Sequence, residues 1–192
     1  MSAGVRGYGL IEMMIAIAIV AVLAVLGTPM YVSWLSSTRI RSAAESVQNG
    51  LRLARTEAVQ SARPARFELA AGGAGWTVCV PRDMTPDTCA SPQSTSQSHD
   101  AQDGFARVRV GATADAAVPL NSDVSTLPAG QKGVTFNAFG RVLAGTTALT
   151  KIDISSDAAG ARRLVTSISP GGSVRLCDPA LRQSEHPQGC EG

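Results

Sequence analysis

Hydrophobic and polar residues follow one another in three different ways along this chain, and the first region is almost wholly apolar. From Leu10 to Tyr31 the only charged residue is Glu12. At about 1.5 Å of rise per residue, a helix of this length crosses a bilayer core of about 30 Å. We therefore predict a transmembrane helix over residues 8–31. A kink is expected at Pro29, because proline removes one backbone hydrogen bond from a helix.

The second region has the helical period of an amphipathic segment. Its apolar positions recur at alternating steps of four and three residues, and they are Ile40, Ala44, Val47, Leu51, Ala54 and Ala58. This spacing places them on one face of a helix, with arginines on or beside the other face. The pattern predicts that the helix continues through residues 32–62, packs its stripe under the rest of the chain and ends near Gln60, before Pro64.

The third region, residues 63–192, changes to short β-type runs separated by Gly, Pro and Asp. The runs are ARFELA, GWTVCV, FARVRV, KGVTFN, GRVLA, TKIDIS, RRLVTSIS and SVRLC. They predict a mainly antiparallel sheet laid on the helix, and hence an α+β fold. The polar segment between Cys89 and Gly104 is expected to be a surface loop, and a second loop is expected from Gly111 to Gly130.

Composition supports one folded domain over residues 63–192, which we call the head, and excludes a strongly charged one. The chain has 192 residues and a formal net charge of +2, and only 4% of its residues are aromatic. The core must therefore be built mainly from Val, Leu, Ile and a few Phe. The balanced charge gives no strong field for nucleic acid or for an anionic membrane.

The four cysteines fall into two close pairs, Cys79 with Cys89 and Cys177 with Cys190. Neither pair has the CxxC spacing of a zinc or thioredoxin-like site, so we favour disulfides in an oxidising compartment and expect no metal. Bridges within the pairs would close the PRDMTPDT loop and staple the C-terminal tail, each worth about 2–4 kcal/mol. At this point the pairing stays open.

The sequence offers little for catalysis. His99 and His186 lie in polar surroundings, each without a second histidine nearby, and no nucleophile elbow or Walker loop is present. We predict that the protein is not an enzyme and needs no cofactor.

The residues at the start of the apolar segment resemble a known processing signal. The residues Gly7-Tyr8-Gly9-Leu10-Ile11-Glu12 resemble the class III signal of type IV prepilins, with Tyr8 and Gly9 where the family usually has Phe and then Thr or Ser. The resemblance implies that a prepilin peptidase removes residues 1–7 by cutting between Gly7 and Tyr8, and that Tyr8 is then N-methylated. It also implies that Glu12 neutralises the Tyr8 amine of a neighbouring subunit during assembly, which explains a costly carboxylate in an apolar segment.

The rest of the chain is similar to the FimT/GspH group of minor pilins and pseudopilins. The similarity lies in the order of long helix and strands, in FNAFGR at residues 136–141 and in GGSVRLCDP at residues 171–179. It implies that the partners are other pilins or pseudopilins, the prepilin peptidase and an inner-membrane assembly platform. The protein would cross the inner membrane once with its head in the periplasm, and join a filament after assembly.

Some FimT proteins bind DNA through a GRxR motif near the C-terminus. The matching place here reads Gly172-Ser173-Val174-Arg175, so only the glycine and the last arginine remain. Residues 151–192 also contain as many acidic as basic side chains, which argues against a strong electrostatic footprint. The candidate contacts to DNA are Arg162, Arg163, Arg175 and Arg182.

The sequence leaves three functions open. The first is a FimT-like minor pilin for pilus assembly or priming, with DNA binding in natural transformation as an added possibility, and the two-cysteine C-terminal tail favours it. The second is a GspH-like pseudopilin of a type II secretion system, which shares every feature above. The third, which the sequence supports least, is a membrane-anchored periplasmic enzyme or receptor.

Overall fold

The computed structural model describes residues 9–70, 73–82, 88–90, 92–100, 107–127, 132–143, 148–158 and 160–190. In these ranges the chain forms one long helix followed by nine strands. The helix α1 is Leu10–Ser61, and the strands are β1 Ala65–Leu69, β2 Trp76–Pro81, β3 Pro92–His99, β4 Val108–Thr113, β5 Gly133–Phe136, β6 Lys151–Ser156, β7 Leu164–Ile168, β8 Val174–Arg182 and β9 Gly189–Cys190. The predicted continuous helix and the α+β class are confirmed.

The C-terminal half of α1 packs its apolar stripe against the head. All six apolar positions of the predicted stripe are fully buried. Gly50 sits among them because a Cβ there would lie 2.7 Å from the ring of Trp76 and 2.8 Å from the ring of Phe67. Both aromatic rings therefore pack directly on the helix backbone, and the Trp76 indole donates a hydrogen bond to Ser46 Oγ at 3.0 Å.

The strands form two sheets rather than the single sheet that the sequence predicted. The first has the order β3-β2-β1-β5, and the second has the order β4-β6-β7-β8-β9. Every pairing is antiparallel except that between β8 and β9, which is parallel. Both sheets supply residues to one core with α1, among them Phe67, Val134, Ile152 and Ile154.

The polar segment after Cys89 was expected to be a surface loop, and that prediction is wrong for Pro92–His99. These residues form β3, which pairs with β2 as an edge strand although most of its side chains are exposed. Backbone pairing with β2, not burial of side chains, holds this strand in place. Cys89 lies just before β3, and its disulfide bond to Cys79 joins this part of the chain to β2 as well.

A second correction concerns the predicted strand GRVLA. Among the described residues of this segment, Val142 forms only an isolated bridge with Phe136. The Asn137 side chain ends the strand, because its Oδ1 accepts hydrogen bonds from the backbone N–H groups of Phe139 and Arg141 at 2.9 and 3.1 Å. Asparagine at this position thus makes a tight turn where the apolar residues alone suggested a strand.

The cysteines are bonded within their two close pairs. Cys79–Cys89 has a Cα–Cα distance of 5.9 Å, and Cys177–Cys190 has one of 5.0 Å. The second bond places Cys190 beside Cys177 and Val165 of the second sheet, and Leu120 from the loop after β4 packs against them. The C-terminal tail is therefore fastened across the outer face of that sheet.

The helix ends in a left-handed residue that is not glycine. Ala62, the residue after α1, has φ 51° and ψ 29°, and Pro64 follows two residues later. An L-residue with a Cβ is disfavoured in this conformation by about 1 kcal/mol, whereas glycine is not.

Replacing this residue, Ala62→Gly, should therefore stabilise the head by about 0.5–1 kcal/mol. Urea unfolding of the detergent-solubilised full chain measures the change. The control is Gln60→Gly, an exposed position inside the last turn, which should lose up to about 1 kcal/mol. Equal losses in both variants would show that the helix end is not strained.

Candidate assembly surface

The first turns of α1 are an apolar rod, and none of the residues that the structure describes packs against it. Every residue from Gly9 to Val25 is exposed. The large hydrophobic side chains among them are Leu10, Ile11, Met13, Met14, Ile15, Ile17, Ile19, Val20, Val22, Leu23 and Val25. We call residues 10–25 the bare segment. A helix that is apolar on all sides requires a covering of lipid or of other protein helices.

Glu12 is the one charged residue of the bare segment and lies in its first helical turn. Backbone N–H groups at a helix N-terminus carry a partial positive charge, so a carboxylate in the first turn is favourably placed. The side chain is exposed in the isolated chain. Burial of the rod against apolar neighbours would remove this carboxylate from water, and it would then need a cationic partner.

Three other predicted positions cannot be placed beside Glu12. Gly7 and Tyr8 lie outside the described residues, and so does the side chain of Pro29. Among the residues that the structure does describe, no helix combines the length and the hydropathy needed to cross a membrane.

A groove opens where α1 enters the head. It has a volume of about 800 Å³ and lies between the helix and the strands β7 and β8. Its apolar lining includes Leu164, Leu176 and Trp34, whose ring contacts that of Tyr31 at 6.2 Å between centroids. Glu45 and Asp178 supply carboxylates at the same groove. We call this the base groove, because it lies at the end of the head nearest the bare segment.

Of the four arginines considered for DNA, Arg163 is engaged inside the protein. Its guanidinium lies 3.3 Å from Asp153 Oδ2 and 3.6 Å from Asp123 Oδ1. Asp153 in turn lies 3.9 Å from the buried ammonium of Lys151, which donates to the backbone carbonyl of Pro119 at 2.9 Å and also to that of Ser122. This charge cluster clamps the loop of residues 114–127 onto the outer face of the second sheet.

Burial dominates the electrostatics of the cluster. The side chains of Lys151 and Asp153 are only 2% and 1% exposed. Loss of water raises the pKa of the Asp153 carboxyl, and the positive charges of Arg163 and Lys151 oppose that shift. Loss of water also lowers the pKa of the Lys151 ammonium; the Asp153 charge opposes that shift, and the positive charge of Arg163 adds to it. The cluster is a structural clamp, and the alternating polar positions in KIDIS were its only signal in the sequence.

The two residues left from the GRxR motif also have structural roles. Gly172 has φ +80°, and a Cβ there would lie 1.9 Å from the carbonyl oxygen of Gly140, so only glycine fits. Arg175 donates to the backbone carbonyls of Pro187 and Gly189 at 3.3 and 3.0 Å, which holds the C-terminal tail on the sheet.

The remaining two arginines do not converge. Arg162 is exposed and lines the base groove. Arg182 is exposed at the end of β8, in a separate cleft with Asn121 and Gln183. The fold thus brings Arg163 and Arg175 into internal contacts and leaves the other two at different sites.

Comparison with known proteins identifies two regions. A family model described as "Type II transport protein GspH" matches residues 43–172, and a model described as "Prokaryotic N-terminal methylation motif" matches residues 3–28. No curated protein matches the chain.

Two solved structures are similar to this chain. Both are crystal forms of the type IV minor pilin FimU from Pseudomonas aeruginosa strain PAO1, and each is 21% identical to this chain. The form in space group P21 has a TM-score of 0.52 and covers 80% of this chain and 96% of its own. The form in space group P65 has a TM-score of 0.47 and covers 79% and 99%.

The buried and the exposed ion pairs of the second sheet should respond differently to mutation. Lys151→Met removes one of the two cations beside the buried Asp153 carboxylate and the donor to two carbonyls, so it should destabilise the head by about 2–3 kcal/mol. The control Arg109→Met breaks an exposed pair with Asp157 and should cost less than about 1 kcal/mol. Urea unfolding of the full chain measures both. Equally small losses would refute the clamp.

Proposed function

We propose, because this chain belongs to the GspH family of type II transport proteins, that it is a minor pilin, a subunit that joins a type IV pilus through its N-terminal helix. The single observation that carries the proposal is the bare segment. One unbroken helix packs one face against the head over its second half and is uncovered over residues 10–25. Such a rod is suited to lipid before assembly and to the helices of other subunits afterwards.

The proposed cycle uses both environments. Residues 8–31 would hold the subunit in the inner membrane, and the prepilin peptidase would remove residues 1–7. The new amino group of Tyr8 would then be methylated. In the filament, Glu12 would pair with the Tyr8 amine of a neighbouring subunit, since a carboxylate surrounded by apolar helices needs a cation. An inner-membrane assembly platform would move the helix from lipid into the filament.

The head fits a periplasmic location. Two disulfides close short loops and staple the tail, and such bonds persist in oxidising compartments. In this proposal the head is a structural module with no catalytic role.

The alternative is a pseudopilin of a type II secretion system, which the description of the family model favours. The two functions use the same subunit architecture and differ in the filament that it enters. Deletion of the protein would reduce pilus number in the first case and export of secreted enzymes in the second. Measuring both in one deletion strain separates them.

DNA binding is not our principal proposal. Arg163 and Arg175 are engaged in internal contacts, and Arg162 and Arg182 line different clefts. A binding assay on Arg162→Ala and Arg182→Ala would test a contribution of these two residues.

Substitution of the lone carboxylate, Glu12→Leu, should leave membrane insertion unchanged and reduce incorporation into sheared filaments at least about tenfold, because the amine of the neighbouring subunit loses its partner. The matched control Glu12→Asp keeps the charge and should retain most incorporation. Immunoblots of the membrane and filament fractions give both quantities. Normal incorporation of the leucine variant would contradict the proposed pairing.

A further inference from the structure

Charged side chains of both signs line the base groove. Arg41 and Glu45 stand one turn apart on α1, and Arg162 lines the same groove from the residues just before β7. All three are exposed, and none forms an ion pair or a side-chain hydrogen bond within the part of the chain that the structure describes. Asp178 differs, because it is buried and accepts a hydrogen bond from the Ala180 N–H at 2.9 Å. The groove therefore offers two cations and one carboxylate to a ligand.

The groove also has an apolar wall and an aromatic entrance. Leu164 and Leu176 line it from β7 and β8. Trp34 is 62% exposed, and its ring contacts that of Tyr31, which is equally exposed. Such rings have an apolar body and a polar tip, so they are suited to the boundary between hydrocarbon and water.

The groove begins where the predicted transmembrane helix ends. A bilayer core of about 30 Å corresponds to about 20 helical residues, so a helix that enters it at Leu10 leaves it close to Tyr31. Trp34 then stands about 5 Å and Arg41 about 15 Å beyond Tyr31 along the axis. Helical side chains lean toward the N-terminus, and the long arginine stem reaches back toward the bilayer. The groove is thus continuous with the lipid-facing rod and lies beside the headgroup layer.

The mixture of charges selects a zwitterionic headgroup. Arginine guanidinium groups bind a phosphodiester through several N–H donors, as Arg41 and Arg162 can. A primary ammonium donates hydrogen bonds to a carboxylate such as Glu45, and an aromatic face such as that of Trp34 attracts the same cation. An anionic headgroup would leave Glu45 without a partner, and a choline headgroup has no N–H to donate to it. Ethanolamine supplies both groups that the groove can bind.

We propose that the base groove binds the headgroup of phosphatidylethanolamine, with its phosphate on Arg41 and Arg162 and its ammonium on Glu45. The inference rests on the proposed function, because it requires that the helix is held in a bilayer before assembly. A bound headgroup would set the orientation of the head above the membrane. Transfer of the helix into a filament would release that contact.

The test reads lipid contact at Trp34 in the full chain. The protein is placed in phosphatidylcholine nanodiscs that contain a minor fraction of a lipid with brominated acyl chains, because bromine quenches the fluorescence of a nearby indole. Brominated phosphatidylethanolamine, phosphatidylcholine and phosphatidylglycerol are compared at equal mole fraction. The variant Trp34→Phe gives the background signal of Trp76, which is buried in the head. Phosphatidylethanolamine should quench Trp34 about twofold or more as strongly as either other lipid.

Two sets of variants divide the site by charge. Glu45→Gln should remove the preference for phosphatidylethanolamine and increase quenching by phosphatidylglycerol, because the exposed charges of the groove are then all cationic. Arg41→Gln combined with Arg162→Gln should also remove the preference, but should decrease quenching by phosphatidylglycerol.

The matched controls neutralise exposed charges outside the groove. They are Glu185→Gln, and Arg107→Gln combined with Arg182→Gln, and they should leave the ratios of quenching unchanged. The emission wavelength of Trp76, recorded in the Trp34→Phe background, shows that the head of each variant is folded.

Equal quenching by the three lipids, a preference of the unaltered chain for phosphatidylglycerol, or groove variants that behave as the controls do would overturn the headgroup site. Each of these results leaves the proposed function standing as long as the chain resists alkaline extraction from vesicles, which is measured in parallel. Failure of the unaltered chain to insert into vesicles would overturn both.

Discussion

One helix has to serve two environments, and the rest of the structure follows from this constraint. Over its second half, α1 supplies a buried stripe from Ile40 to Ala58 to a core shared by two sheets. Over residues 10–25, it exposes apolar side chains in every direction. The head must therefore bind the helix firmly on one part without covering the other. Gly50 shows how closely the head approaches, because both Trp76 and Phe67 occupy the space of a missing Cβ.

A core with few aromatic residues is supplemented by polar clamps on the outer faces of the sheets. On the first sheet, buried Arg66 pairs with Glu68, whose carboxylate accepts a hydrogen bond from the backbone of Cys89. On the second sheet, Lys151 and Asp153 hold the loop of residues 114–127, and Arg175 holds the tail. Each clamp fastens an irregular segment, and a disulfide bonds a segment to each sheet as well. Basic residues near the C-terminus thus stabilise the fold.

The pattern of apolar and polar residues was sufficient to predict the features that depend on local periodicity. The stripe of α1, its end before Pro64 and most of the strands follow from spacing alone. Features that depend on distant partners were not predictable in this way. The strand Pro92–His99 has the composition of a loop and exists because β2 offers backbone partners. The roles of Gly172 and Arg175 depend on Gly140 and on the tail, which are close only after folding. These two residues match a motif, yet each has a structural role within the fold.

We propose that this chain is processed and then enters a filament through its N-terminal helix. The intact mass of the protein recovered from sheared filaments, measured with and without reductant, tests this proposal. We expect a chain that begins at Tyr8, carries one methyl group and gains four hydrogen atoms on reduction of its two disulfides. A chain that still begins at Met1 and is found only in the membrane fraction would contradict it.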